Sequence, residues 1–372
     1  MSYASLISDF QPFWIIIFAG FLTSFVITFF GIPSLVRIAR IKGLLDLPGT
    51  RKSHSAPTPR LGGTMIFAGV IIASLLFTGI SCATSLRFII AGLLILFFVG
   101  LKDDIVALVA YKKLAGQIIA ALILVIPGNI RLTFTSMSQS PEYLSTFVSI
   151  TVSVAIILLL INSFNLIDGI DGLASGVGII ASIVFGVWFI LNNKISMAVL
   201  VFSLLGSLAA FFWYNVFSKK YKIFLGDTGS MITGFLMSLF LIRFLEMNLH
   251  DTPIKPAEVI PAISLAIFII PVFDLFRILF VRIIKHKSPF SGDNNHIHHK
   301  ILILAGSHLK ATIIILSFNV AIIAIVWILR ALGNAILIAF LFSICLILLL
   351  IIHYCFIIKN SNGNGNKRMP EG

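Results

Sequence analysis

Charge is scarce in this sequence. Only 11% of its 372 residues are Asp, Glu, Lys or Arg, and just 14 are acidic. With a mean hydropathy of +1.08, that composition excludes a pair of soluble domains. Cysteine is scarce too. Cys82, Cys345 and Cys355 are not spaced as metal ligands, so neither a disulfide framework nor a cysteine metal centre follows. No direct or inverted repeat is evident, which weakens a transporter reading. The first apolar run, Phe13 to Val36, has no small-residue cleavage pattern. It is too long for a signal-peptide core and reads as a retained span.

What is present is hydrophobic length. Apolar runs expected to span roughly 30 Å of hydrocarbon lie near 13–36, 62–80, 86–101, 115–127, 146–162, 172–191, 197–216, 229–245, 260–281, 312–331 and 335–358, with 115–127 short for a span. Backbone amides in lipid must be satisfied internally. The chain is therefore expected to be an all-α, polytopic integral membrane helical bundle of about 11 transmembrane helices. Residues 1–359 form a single multi-span catalytic domain, and the Asn/Gly-rich stretch 360–372 forms a disordered cytoplasmic tail. Most of the 27 Lys and Arg fall in alternate loops, so the N-terminus is expected outside and the C-terminus in the cytoplasm. The net charge of +13 thus describes a cytoplasmic face suited to phosphates and anionic lipid.

The few carboxylates cluster at the ends of apolar runs, where charge is expensive and marks function. Asp103 and Asp104 are adjacent at the end of one run. Their repulsion is relieved by a cation, and Mg²⁺ held by one or two carboxylates and by substrate phosphates suits the position. Asn162, Asn165 and Asp168 follow at intervals of three, which keeps them on roughly one face of a helical turn. Asp171 comes next, with Gly169 and Gly172 letting the backbone turn or approach a ligand closely. The set suits either a metal or a sugar and its phosphates.

Gly226-Asp227-Thr228-Gly229-Ser230 places another carboxylate at the opening of a helix. The helix N-terminus there attracts anions, with the carboxylate turned to a metal. In the longest inner loop, Asp293 precedes His296, His298 and His299. The histidines suit zinc by composition, or pyrophosphate and a uridine nucleotide given the Lys and Arg around them. The basic, glycine-ended loop from Gly43 to Gly63 carries Lys52 and Arg60. It reads as a phosphate cradle or as a charged surface loop. Asp274 and Arg277, three apart in a helix, read as an internal ion pair.

Taken together, from Gly43 to about Leu302, these segments resemble the polyprenyl-phosphate N-acetylhexosamine-1-phosphate transferase family (the glycosyltransferase 4 family of membrane phosphoglycosyltransferases). The His-Ile-His-His form is similar to the branch that starts O-antigen, common antigen or teichoic acid linkage units. The muramoyl-pentapeptide translocase branch is related. The resemblance implies a Mg²⁺-dependent enzyme, with Mn²⁺ as a substitute ion. It implies transfer of a sugar 1-phosphate, GlcNAc-1-phosphate by default, from a UDP-N-acetylhexosamine to undecaprenyl phosphate, releasing UMP. The expected setting is the bacterial inner membrane with a cytoplasmic active site, the lipid bilayer as partner, no nucleic acid, and a homodimer as one option.

It further implies that Asp227 is a direct metal ligand and that Asp103 and Asp104 serve the metal and the lipid phosphate. Asn165, Asp168 and Asp171 would shape the nucleotide and metal site, with Asp104 and Asp168 also able to ligate the metal. His296, His298 and His299 would stabilise the pyrophosphate, and Lys113 would match the family's basic residue before the following span. Lys52, Arg60, Asn162 and Asp293 would contact substrate. Relatives in this branch often carry a third acid where this chain has Ala107. The expected chemistry is direct attack of the lipid phosphate on the β-phosphorus, with a covalent route through Asp103 or Asp104 left open. The rival readings are a Mg²⁺-dependent membrane prenyltransferase and a polytopic transporter or flippase.

Overall fold

A computed structural model of the chain describes residues 13–46, 56–78, 83–133, 142–250, 259–284 and 297–363. Among them the chain is helical, with one isolated antiparallel bridge between Asp46 and Thr58. In chain order the first helices are α1 (Phe13–Ile41), α2 (Gly62–Phe77), α3 (Ala83–Ile105), α4 (Ala110–Val125), α5 (Glu142–Ile167) and α6 (Leu173–Leu191). Then come α7 (Ile195–Val216), α8 (Gly226–His250), α9 (Ile260–Ile267), α10 (Ile269–Ile284), α11 (Ile297–Ala305), α12 (His308–Ile328) and α13 (Asn334–Gly363).

Eight of these helices are long and apolar enough to cross a membrane, and the bent pair α9–α10 makes a ninth candidate. Each expected span coincides with one helix or with that pair. The remaining two, α2 and α4, have 16 residues each. At 1.5 Å per residue they rise about 24 Å, short of roughly 30 Å of hydrocarbon. The chain is a multi-pass membrane protein. Helix α13 runs to Gly363, past the start of the stretch expected to be disordered; residues 364–372 lie outside the described residues.

The stretch 260–281, expected as one span, is broken at Phe268, where α9 and α10 diverge by 78°. Pro271 explains the break. It offers no amide to Ile267, four residues back, and its ring crowds that carbonyl. The bend lays α10 against α5.

Helix α8 is the centre of the bundle, with 89% of its apolar window buried, against 28% for α1 and 17% for α13. Lipid tails are as apolar as leucine, so interior and exterior faces do not differ in hydrophobicity; small residues mark the contacts instead. A Cβ on Gly206 would lie 2.3 Å from the Phe21 carbonyl oxygen, which is how closely α7 approaches α1.

The helices alternate in direction, so the C-terminal ends of α1, α3, α5 and α7 meet the N-terminal ends of α2, α4, α6 and α8. Hydrogen bonds record the meeting: Arg40 to the Lys220 carbonyl at 2.7 Å, Gly62 N–H to Phe224 O at 2.9 Å, and Gly172 N–H to Asn215 Oδ1 at 2.6 Å. The opposite end of the bundle holds the Thr133–Glu246 and Ala262–Asn334 contacts.

Candidate active site

The site is built on the first turn of α8. Helix N-termini leave amides without intrahelical partners, and here α3 supplies the cap. Asp104 accepts from the amides of Asp227 at 2.7 Å and Thr228 at 3.0 Å, and from the Thr228 hydroxyl at 2.6 Å. Gly226 opens the helix with φ of +75°, a conformation suited to glycine. Two further glycines let the helices come this close. A Cβ on Gly63 of α2 would lie 2.0 Å from the Gly229 nitrogen, and one on Gly100 of α3 would lie 2.5 Å from the Thr228 Cα.

With its amide capped by Asp104, the Asp227 side chain turns to α4 and α5. Its Oδ1 accepts from the Lys113 ammonium and from the Asn165 amide. Lys113 also reaches Asp103 Oδ2 at 3.2 Å and Asn165 Oδ1 at 3.4 Å. Asn165 is fixed in turn by Ser230 Oγ at 3.0 Å. Asp103 keeps its other oxygen on the Leu108 amide at 2.6 Å, which closes the turn between α3 and α4 around Ala107. Asn162, one turn back on α5, donates to Gln117 Oε1 at 2.9 Å, so it braces α5 against α4 and sits behind the charged cluster. One cation thus lies among two carboxylates and an amide, and the Lys113 side chain is only 15% exposed.

Asp168 stands just past α5, half-buried, with no hydrogen bond to its carboxylate among the described residues. Desolvation first, and then the negative charges of Asp227 and Asp104, hold its pKa well above the usual carboxylate range; Arg60 opposes the shift. Asp171 is committed elsewhere. It pairs with Lys222 at 2.5 Å, its amide donates to His308 Nδ1 at 3.3 Å, and its carbonyl accepts from Thr312 at 2.7 Å. Asp171 therefore ties the α5–α6 turn to α12 and to the segment before α8.

His298 and His299 on α11 lie against that turn, since a Cβ on Gly169 would meet His298 Nε2 at 2.8 Å and His299 Nε2 at 3.3 Å. His298 is buried, and its Nδ1 lies 3.1 Å from Asp274 Oδ2. Asp274 also pairs with Arg277 at 3.2 Å, as expected. Arg60 pairs with Asp46 at 2.9 Å, and the loop carrying it docks beside α8 through Phe224 N–H to Pro59 O at 2.8 Å and Gly63 N–H to Leu225 O at 2.9 Å. Lys52, Asp293 and His296 lie outside the described residues.

The structure therefore brings Asp103, Asp104, Lys113, Asn165, Asp168 and Asp227 together, with Arg60, His298 and His299 at the margin. Gln117, Lys222, Asn215 and His308 also hold the site without a role expected from sequence, as do Thr228 and Ser230, expected only as neighbours of Asp227, and Asp274, expected only as the partner of Arg277. Adjacency to Asp227 signals Thr228 and Ser230; no local pattern signals His308.

The donor set suits Mg²⁺. It consists of carboxylate oxygens, chiefly Asp168 and the second oxygen of Asp227. Among the described residues no three acidic, His or Cys side chains are grouped to hold a metal by themselves. Mg²⁺ is commonly bound in that way, by one or two carboxylates with substrate phosphates and water completing its shell.

The chain is also similar to known proteins. The glycosyl transferase family 4 model matches residues 86–245, which hold Asp103 through Asp227. A Bacillus subtilis protein named as a probable undecaprenyl-phosphate N-acetylglucosaminyl 1-phosphate transferase is 32% identical over 301 residues, covering 80% of this chain and 81% of its own. Undecaprenyl-phosphate alpha-N-acetylglucosaminyl 1-phosphate transferases of Yersinia pestis and Escherichia coli K12 are 29% and 27% identical, over 76% and 77% of each chain. Relatives matched over 76% to 80% of its length, one of them 32% identical, place this multi-pass helical bundle in glycosyl transferase family 4.

Proposed function

We propose that this protein transfers N-acetylglucosamine 1-phosphate from UDP-N-acetylglucosamine to undecaprenyl phosphate and releases UMP. The product is the first lipid-pyrophosphate-linked sugar of a cell-surface polysaccharide. The observation that carries the reading is the convergence of Asp227, Lys113, Asn165 and Asp168 at one end of a membrane bundle. There a lipid phosphate at the bilayer surface and a soluble nucleotide can meet. Relatives matched over most of the chain are named for this transfer.

Joining a lipid phosphate to a pyrophosphate brings about four negative charges together, so catalysis consists of neutralising and aligning them. Lys113 supplies one fixed cation, and Arg60 stands at the edge. Asn165 and the Asp104 cap hold Asp227 in place. A bound Mg²⁺, held by Asp227 and Asp168, supplies charge neutralisation on the phosphates. A phosphate monoester has its second pKa near 6, so the lipid phosphate is mostly dianionic and needs little help from a base. Asp103 is held by the Leu108 amide and Lys113 and would have to leave both to act as a nucleophile. Direct attack on the β-phosphorus is therefore favoured. His298 and His299 reach the Gly169 turn, beside Asp168, from α11 and suit the pyrophosphate.

The end of the bundle that carries the site also carries Arg37, Arg40, Lys102, Lys112, Lys219, Lys220 and Lys222. By the positive-inside rule it faces the cytoplasm of a bacterial inner membrane, which puts the N-terminus outside and the C-terminus inside. Apart from Asp274 and Arg277, the site's charges gather at one face rather than near the midplane, which also favours an enzyme over a transporter.

The test is UMP release by purified protein given undecaprenyl phosphate, Mg²⁺ and each of several UDP-N-acetylhexosamines. Release that needs lipid and metal, and is fastest with UDP-N-acetylglucosamine, supports the proposal. Release without lipid, or preference for another donor, overturns the reaction or the sugar respectively.

A further inference from the structure

We propose that Asp274 is a positioning residue that fixes the His298 ring by its Nδ1 atom and aims Nε2 at the Gly169 turn. Its consequence for turnover rests on the function proposed above; the ring geometry does not.

Two helices meet at this carboxylate, α10 and α11. Asp274 belongs to α10, which the break at Phe268 turns by 78° away from α9 and lays on α5. Asp274 and His298 are each only 3% exposed. Asp274 Oδ2 lies 3.1 Å from His298 Nδ1, while Oδ1 takes the Arg277 guanidinium at 3.2 Å and the Ile297 amide at 3.3 Å. One side chain thus caps the start of α11 and grips the second residue of that helix.

A carboxylate paired with arginine is an acceptor only, so the proton in the Asp274–His298 contact belongs to Nδ1. The partner of one ring nitrogen determines what the other presents, as second-shell carboxylates do for metal-bound histidines. Here the other nitrogen faces the turn that follows Asp168, 2.8 Å from where a Gly169 Cβ would stand. A side chain at that position would displace the ring.

The surroundings reinforce the arrangement. Asp274 and His298 together line a cavity of about 440 Å³ whose other walls are apolar residues, such as Ile270, Phe273, Ile301 and Phe318, and two cysteines. Polar contacts strengthen in such a low-dielectric setting. A ring released from Asp274 would swing into a space whose wall, among the described residues, offers only thiols as further side-chain hydrogen-bonding groups.

Two measurements on the full-length protein in lipid nanodiscs decide the proposal. Long-range ¹⁵N–¹H spectra of histidine-labelled protein, with the His298 signal assigned by its loss in His298→Gln, report which ring nitrogen carries the proton. Nδ1–H is expected in the wild type, and exchange between both tautomers in Asp274→Asn. A wild-type ring protonated at Nε2 alone overturns the proposal, whatever the enzyme's activity.

In UMP release, Asp274→Asn is expected to lower kcat by about 10- to 100-fold. The same change in the His298→Gln background should add less than about twofold, because the two residues act as a unit. Additive losses, or wild-type kcat in Asp274→Asn, overturn the proposal. A wild type that releases no UMP with any donor overturns the reaction proposed above and leaves the ring spectrum to decide the role of Asp274.

Discussion

Asp104 and Asp227 meet through the backbone. The Asp104 carboxylate accepts the Asp227 amide at 2.7 Å, while the Asp227 side chain turns the other way to Lys113. The second acid of the adjacent pair is therefore a helix cap brought from another helix. An Asp-to-Ala change at a cap costs about 0.5–2 kcal/mol, and the abandoned amides here are in a half-buried site. Asp104→Ala is expected to lower both the unfolding midpoint in detergent and turnover. Asp104→Asn, which keeps an acceptor oxygen, should lose less stability. An unchanged midpoint in Asp104→Ala would show that the cap contributes nothing.

Lys113 lies between Asp103 and Asp227 and would share Asp227 with the divalent cation proposed to bind there. Removing the ammonium leaves two carboxylates facing each other, a situation that favours binding of another cation. Lys113→Met is expected to bind Mn²⁺ more tightly than wild type in the absence of substrate, while turnover falls. Electron paramagnetic resonance titration with Mn²⁺ measures the first, and weaker binding would contradict the shared position.

Asp168 has a folded pKa raised above its usual 3.8. An acid raised on folding contributes stability that is fully present below about pH 3.8 and is lost as pH rises through the higher value. Asp168→Asn carries no charge at any pH and escapes that loss. With EDTA present, the variant should unfold at a higher temperature than wild type at pH 8. The difference should shrink steadily towards pH 4. A constant difference across that window would mean that Asp168 does not titrate in it.

Gly63 and Gly31 separate hard from soft contacts. A Cβ on Gly63 meets the Gly229 backbone nitrogen at 2.0 Å, whereas one on Gly31 meets the flexible Met65 thioether at 2.3 Å. Overpacking typically costs 1–3 kcal/mol, and backbone cannot step aside as a methionine can. Gly63→Ala should lower the unfolding midpoint clearly more than Gly31→Ala. Equal losses would argue that α2 and α8 can move apart.

Much of this was legible in the sequence because membrane helices announce themselves as long apolar runs, and because carboxylates are rare enough here to stand out. The spacing of Asn162, Asn165 and Asp168 drew attention to this segment, although Asn162 turns to Gln117 behind the cluster, and the glycines beside Asp227 marked a close approach. The break at Phe268 was hidden, because Pro271 acts on the residues before it and leaves the run as apolar as its neighbours. The Asp104 cap was hidden because its partners are 123 and 124 residues away. Asp274 was read from its neighbour Arg277, three residues on, while its contact with His298 spans 24 residues. Local pattern shows which residues are unusual, but it does not show which of them fold onto each other.

The most direct test compares wild type with Asp227→Asn in vesicles containing undecaprenyl phosphate, supplied with UDP-N-acetylglucosamine and Mg²⁺, with the lipid product identified by mass spectrometry. Wild type is expected to form undecaprenyl diphosphate bearing one N-acetylglucosamine. The variant, folded but missing the carboxylate at the centre of the cluster, should form it about 100-fold more slowly or worse, a loss of roughly 3 kcal/mol or more. Equal product from both proteins, or none from folded wild type, would contradict the assignment of this cluster as the site of phosphosugar transfer.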